Sequence, residues 1–200
     1  RDTIEAATEL GIKYITLYAF STENWQRPAA EVTALMTLLV HTIRKEVATL
    51  NKNNIRLQAI GEITALPDEC FSELIDAIDA TKQNTRTTLV LALNYSARWE
   101  LTRAVKRIAA KVQTGQVDID TITDATISAH LATVGMPDPE LMIRTSGEQR
   151  ISNFLLWQLS YAELHFTEKM WPDFRKEDFW EAIYLFQNRE RRFGKTSEQL

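Results

Sequence analysis

The chain has 200 residues, 44% of them hydrophobic and 25% charged, which suffices for one sizeable core and, on length, one domain over residues 1–200. Its net charge of -4 argues against a general nucleic-acid coat, so any bound anion must be met by local arginines set against the overall field. The only cysteine, Cys70, excludes an intrachain disulfide and fits a reducing, cytoplasmic setting, and the sequence contains no apolar run near ~20 residues, no signal peptide and no lipidation box.

Residues 1–10 have the spacing of an amphipathic helix with Ile4, Ala7 and Leu10 inward, stopped by Gly11. The chain opens at Arg1, without a methionine, inside this helix, which points to a segment upstream. KYITLYAF, residues 13–20, is a β-branched and aromatic run suited to a buried strand, and Ser21, Thr22, Glu23 and Asn24 follow its carboxyl end. Trp25, Arg27 and Pro28 lead into a long helix with a stripe of Val32, Met36, Leu39, Ile43, Val47 and Leu50, and Glu31 in its first turn. On residue chemistry alone, Ser21 to Asn24 cap that turn and Glu31 complements the helix dipole.

A second strand spans 54–60 and exits at Gly61; Pro67 opens a helix whose apolar face is Phe71, Leu74, Ile75 and Ile78. Cys70 reads as packing, since no histidine is near it in sequence. The third strand, 87–93, ends at Asn94, Tyr95, Ser96, Ala97 and Arg98. A helix over 99–112, with Leu101, Val105, Ile108 and Val112 inward, stops at Gly115, and a shorter helix covers about 126–131, where His130 is a solvated or interfacial residue. The loop of Met136, Pro137, Asp138 and Pro139 leads to a fourth strand at 141–144, and a fifth covers 161–166.

Alternating strands and helices indicate an α/β fold, a mostly parallel central sheet flanked by helices in a single domain. Such sheets bind ligands at the carboxyl ends of their strands, where Ser21, Asn24, Asn94 and Arg144 fall; three strand ends point to one cleft. After Arg144 come Thr145, Ser146, Gly147 and Arg150, with Ser152 or Asn153 as the N-cap of a short helix over 154–159. Two guanidiniums, a hydroxyl and unpaired helix N–H groups are the parts of a diphosphate site; a capped loop with surface arginines uses the same residues. Glu163 in the fifth strand needs a partner if buried: either a hard cation such as magnesium beside a diphosphate, or one of those arginines. Asp173 is explained locally as N-cap of the final helix, which starts near Lys176, buries Phe179, Ile183 and Phe186, and ends in Arg189, Arg191, Arg192, Phe193 and Gly194, ordinary partners of a helix C-terminus.

RTSGEQRISNFLLWQ, then YAEL and WPDF, preceded by YAFSTENWQRP, closely resemble the cis-prenyltransferase family, in its bacterial undecaprenyl diphosphate synthase branch, over nearly the whole chain. The resemblance implies magnesium-dependent condensation of isopentenyl diphosphate onto farnesyl diphosphate with cis geometry. The product would be a long, undecaprenyl-type lipid carrier precursor for cell-wall synthesis. It implies that Ser21 and Asn24 are catalytic, that Trp25 positions the substrate, that Arg27 meets a diphosphate and that Glu31 lies near the active-site mouth. Asn94, Arg144, Arg150 and Ser152 would bind substrate, Glu163 the metal, and Asp173 would lie near the active site. Arg191, in the Arg-rich tail, would sit by a homodimer interface and help complete a diphosphate site. The growing chain would run in an apolar tunnel along Met36, Leu39 and Ile43, and the lipid product would bring a cytoplasmic protein into peripheral contact with the membrane. Ser96 and Ala97 stand where the family commonly has two glycines, which questions a positive-φ turn there. The family's Met-Asp-Gly-Asn-Gly-Arg-Trp motif, with its magnesium-linked aspartate and phosphate cradle, does not occur in this sequence, as expected of a family domain lacking its leading strand. The alternatives are a shorter-chain synthase, a non-catalytic partner subunit, which should have lost these polar residues, and a nucleotide-binding module, which should show GxGxxG or a P-loop lysine and does not.

Overall fold

The computed structural model describes residues 1–191 and Thr196. Its elements in chain order are α1 (Asp2–Glu9), β1 (Tyr14–Ser21), α2 (Ala29–Lys52), β2 (Ile55–Ile60), α3 (Asp68–Thr81), β3 (Thr87–Tyr95), α4 (Ala97–Gln113), α5 (Asp124–Ser128), β4 (Leu141–Arg144), β5 (Glu163–Phe166) and α6 (Lys176–Gln187). They fall into two compact units, Gly11–Pro137 and a smaller one made of Arg1–Leu10 with Asp138–Leu200. All strand pairings are parallel, and helices lie between β1 and β2, between β2 and β3 and between β3 and β4 along the chain, so the fold class is the α/β one expected. Among the described residues the five strands form a three-stranded and a two-stranded sheet.

In the larger unit the strand order is β1-β3-β2. β3 takes the centre because it is the strand with a near-continuous apolar run, and Val90, Ala92, Leu93 and Tyr95 are each 0% exposed. β1 is an edge strand: only Phe20 is fully buried, whereas the sequence suggested a buried strand. α2 and α3 pack on each other and on β2. Thr81, at the end of α3, ties helix to sheet, its buried hydroxyl accepting from Leu57 N–H at 3.0 Å and donating to the Ala77 carbonyl at 2.9 Å.

Buried stripes differ from the periodic reading in instructive ways. α2 buries Val40 rather than Leu39, and α3 buries Cys70, Leu74, Ala77 and Thr81, leaving Ile75 exposed. α4 buries Ala97, Glu100, Ala104 and Ile108, while Val105 is 62% exposed. Small residues let these helices sit close, which rotates larger neighbours outward. Glu100 is tolerated inside because its carboxylate accepts from Tyr95 Oη at 2.6 Å and from the Ala132 N–H at 2.8 Å.

In the smaller unit α1 packs on α6, with Asp2 3.6 Å from Arg175 and Glu9 2.5 Å from Lys176. α1 buries Thr3, Ala6, Ala7 and Thr8; Leu10, expected inward, is exposed. The cap of α6 is Arg175, whose N–H donates to Asp178 at 2.8 Å, so Asp173 is not its N-cap and lies instead in a 3-10 turn, Trp171–Asp173. Backbone hydrogen bonding and Lys169 hold the Asp178 carboxyl below its usual range. Arg192, Phe193 and Gly194 of the predicted tail lie outside the described residues.

Gly61, leaving β2, has φ +119°, and a Cβ there would stand 1.9 Å from the Leu93 carbonyl oxygen. Neither the angle nor the space suits another residue. Gly61→Ala should therefore cost at least about 2 kcal/mol of stability by urea titration; an unchanged midpoint would mean that β2 and β3 do not approach this closely.

Candidate functional site

At the carboxyl end of β1 the chain turns through a 3-10 helix, Thr22–Gln26, closed by a reciprocal cap. Asn24 Oδ1 accepts from the Ser21 N–H at 2.8 Å, and the Ser21 hydroxyl oxygen accepts from the Asn24 N–H. The capping role foreseen for these two residues is thus present, at the 3-10 turn. One acceptor lone pair of each side chain is engaged there, and the Ser21 O–H and the Asn24 NH2 remain as donors.

Trp25 follows, its ring edge-on to Phe20 at 5.0 Å and its Nε1–H donating to Asn94 Oδ1 at 2.7 Å. Asn94 ends the central strand in the left-handed region, φ 47°, which asparagine tolerates better than most residues. Its NH2 donates to the Glu62 carbonyl at 3.0 Å, and its own carbonyl accepts from the Glu62 N–H at 3.1 Å. At 6% exposure, with both side-chain ends engaged, Asn94 orients Trp25. The positive φ sits at Asn94 and not at Ser96, which has φ -152° and caps α4 by accepting from the Trp99 N–H, so serine and alanine fit where the family has glycines. Arg27 and Glu31, both half exposed, form an i,i+4 ion pair at 2.8 Å.

In the smaller unit Arg144 closes β4, half-buried. Arg1, Arg150, Arg175, Arg189 and Arg191 each lie within 4 Å of a carboxylate, on Glu5, Glu148, Asp2, Glu163 and Glu140 respectively. Among the described residues Arg144 has none. The loop beyond it differs from expectation. Ser146 and Gly147, at φ 71° and 68°, give their N–H groups to the carbonyls of Lys169 and Thr167, so those donors tie the loop down. Residues 154–159 are turns and not a helix, because Ser152, Asn153 and Leu155 all have positive φ. No helix dipole therefore aims at Ser152.

β5 carries Glu163 and His165 half-buried and Leu164 and Phe166 exposed, the reverse of an ordinary surface strand. Arg189 Nη1 satisfies the Glu163 carboxylate at 2.8 Å and the Leu164 carbonyl at 3.0 Å. Of the two partners foreseen for Glu163, an arginine is present, though it is Arg189 rather than Arg144 or Arg150. Burial, then the Arg189 charge, push His165 below the usual histidine range. Among the described residues no three His, Cys, Asp or Glu side chains cluster as a self-sufficient metal site. A hard divalent cation that completes its shell with ligand oxygens and water needs only one or two carboxylates, and Glu163, with 29% of its side chain accessible, can supply one. Cys70 is buried, with burial raising its thiol pKa, and His130 Nδ1 lies 2.7 Å from the Thr126 carbonyl, so neither joins the site.

Glu62 and Glu100 have no place among the residues singled out in the sequence, and Arg189, expected only as a partner of the final helix's C-terminus, pairs instead with Glu163. Glu100 had a signal, falling in the 97, 100, 104, 108 spacing of the buried stripe. Glu62 acts through its backbone and Arg189 through a fold-back onto β5, and neither leaves a sequence signature.

A family model described as "Putative undecaprenyl diphosphate synthase" matches residues 1–194. The isoprenyl transferase of Chlorobaculum tepidum is 49% identical over 200 residues, covering 100% of this chain and 76% of that protein. The ditrans,polycis-undecaprenyl-diphosphate synthase ((2E,6E)-farnesyl-diphosphate specific) of Haemophilus ducreyi is 49% identical over 97% of this chain and 80% of its own. Among solved structures, lavandulyl diphosphate synthase from Lavandula x intermedia, in complex with dimethylallyl diphosphate, superposes with a TM-score of 0.94 at 36% identity, over 97% of this chain and 84% of that one. A probable undecaprenyl diphosphate synthase from Campylobacter jejuni does so with a TM-score of 0.86 at 36% identity, over 97% and 89%.

The Trp25 indole N–H, bonded to an amide that is itself buried, should exchange slowly with solvent and appear as a protected peak in a proton–nitrogen NMR spectrum. Asn94→Ala should raise its exchange at least about tenfold, the value of one hydrogen bond. Equal exchange in both proteins would mean that Asn94 does not hold the ring.

Proposed function

Because the chain belongs to the undecaprenyl diphosphate synthase family of prenyltransferases, we propose that it extends farnesyl diphosphate by successive cis condensations of isopentenyl diphosphate to a long polyprenyl, undecaprenyl-type diphosphate. The names of the bacterial relatives support that substrate and product. The observation that carries the reading onto this chain is Arg144, a half-buried guanidinium at a strand end without a carboxylate partner among the described residues. A cation so placed is completed by an anion from outside the chain, and a diphosphate matches its forked donors.

Arg144 anchors the isopentenyl diphosphate, with Arg150 and Ser152 beside it in the same segment. Arg150 has Glu148 as counter-charge and contributes less. In the larger unit Ser21 and Asn24 act as hydrogen-bond donors to diphosphate oxygen, where negative charge grows as the allylic C1–O bond breaks and its electron pair leaves with the diphosphate. Trp25, held by Asn94, positions the allylic substrate, and Arg27 turns from Glu31 to the diphosphate. The alkene of isopentenyl diphosphate forms the new C–C bond to the allylic C1, and its C2 proton passes to an oxygen of the released diphosphate, the base the reaction itself supplies, which leaves the cis double bond. Magnesium, when bound, supplies charge neutralisation on the diphosphate, and Glu163 is the residue to hold it. Asp173 and Arg191 are peripheral in this scheme, Arg191 being paired with Glu140. The lengthening chain follows α2 past Met36, Leu39 and Ile43. The protein works as a cytoplasmic homodimer in peripheral contact with the membrane; among the described residues no helix is long and apolar enough to cross one. The outward Leu164 and Phe166 of β5, with Tyr161 72% and Tyr184 66% exposed, support a subunit contact, which light scattering would reveal as twice the 23.0 kDa chain mass.

Incubation with farnesyl diphosphate, labelled isopentenyl diphosphate and magnesium should give a ladder of products. Arg144→Ala should lower kcat/KM for isopentenyl diphosphate by about 10²–10³, the loss of a bidentate charge-assisted contact, and Arg150→Ala by about tenfold or less. A ladder that stops after one or two additions would favour a shorter-chain synthase. No product, with a folded protein that still binds substrate, would favour the partner-subunit reading.

A further inference from the structure

We propose that the outer face of α4 is a docking surface for an anionic lipid bilayer. This rests on the polyprenyl product proposed above, and it goes beyond it in naming the surface. α4 carries Arg98, Arg103, Lys106, Arg107 and Lys111 against one acid, Glu100, a formal +4 (5 - 1) in a protein whose net charge is -4. Glu100 does not offset them at the surface, being 2% exposed and engaged with Tyr95 and Ala132. Elsewhere in the larger unit, Arg27, Arg44 and Lys82 have carboxylate partners. Among the described residues Arg103, Lys106, Arg107 and Lys111 have none within 4 Å. Their spacing of three or four residues keeps them along one side of the helix. Because Ala97, Glu100, Ala104 and Ile108 take the inward side, Lys106 faces away from the unit, Arg103 and Arg107 flank the buried stripe on one side, and Lys111, exposed, continues that stripe at the end of the helix.

Two further features favour a bilayer over another polyanion. Arg103 lies 5.1 Å from the centre of the half-buried Trp99 ring, an aromatic and cation pair of the kind that suits a headgroup layer. Ala109 and Ala110, both exposed, add no bulk, so the helix can lie flat in the interface rather than insert. A long apolar product on a diphosphate must leave water, and a basic helix held against an anionic leaflet keeps its source at the surface that receives it.

The test is co-sedimentation of the full chain, without substrates, with phosphatidylcholine vesicles and with vesicles containing phosphatidylglycerol. Wild type should bind only the latter and release as salt rises from about 0.05 to 0.5 M. R103Q/K106Q/R107Q/K111Q should lower the partition by at least about a hundredfold, whereas removing the same charge elsewhere, with K13Q/K45Q/K52Q/R56Q, should leave most of it. Circular dichroism melts establish that each variant is folded, and turnover in detergent, expected unchanged, reads the enzyme independently of the membrane. Equal loss in the two variants would reduce the effect to net charge and overturn the proposal. So would failure of wild type to bind phosphatidylglycerol vesicles, or α4-dependent binding of a duplex oligonucleotide in their place. Normal vesicle binding with no turnover in detergent would instead count against the synthase reading and leave the surface standing.

Discussion

A guanidinium partly withdrawn from water needs a counter-charge, and in the smaller unit that requirement is met for every described arginine except Arg144. The exception lies at the carboxyl end of a parallel strand, where α/β folds present ligand groups. The surrounding backbone is already committed: Ser146 and Gly147 donate to Lys169 and Thr167, and Thr167 donates to the Arg144 carbonyl. The loop is therefore fixed while the side chain remains unmatched. A rigid frame around one uncompensated cation is an economical way to bind an anion, because the ordering cost is met in folding rather than in binding.

The larger unit applies the same logic to neutral groups. Asn94 joins the ends of β3 and β2 to Trp25, and the close approach of Gly61 to Leu93 makes that junction possible. Ser21 and Asn24 each accept from the other's backbone N–H in the cap and keep their O–H and NH2 donors. Capping and catalysis are thus compatible readings of the same side chains. The cap takes up one acceptor lone pair of each and leaves both donors for an oxygen anion.

Fold class was legible because parallel α/β chains announce themselves: the apolar runs at 13–20, 54–60 and 87–93 alternate with helical stripes, and polar residues clustered where strands stop. The side-chain stripes were less so. Periodicity favours large apolar residues, yet α3 and α4 bury Cys70, Ala77, Ala97, Ala104 and even Glu100, since close helix packing selects small or fully bonded side chains. The turns after Arg144 were read as a helix because FLLWQL has helical composition; left-handed residues at 152, 153 and 155 prevent it, and nothing in their identity requires that conformation. Pairings made by folding back, such as Arg189 with Glu163, involve residues 26 apart in sequence and are invisible to local pattern.

Isothermal titration of the purified chain with inorganic pyrophosphate, the anionic part of both substrates without their hydrocarbon, tests the assignment of Arg144 most directly. Wild type should bind with an affinity that Arg144→Ala reduces about a hundredfold or more and that Arg150→Ala reduces far less. Equal affinities in wild type and Arg144→Ala would contradict the account, because the one described guanidinium of the smaller unit without a carboxylate partner would then be serving something other than a diphosphate.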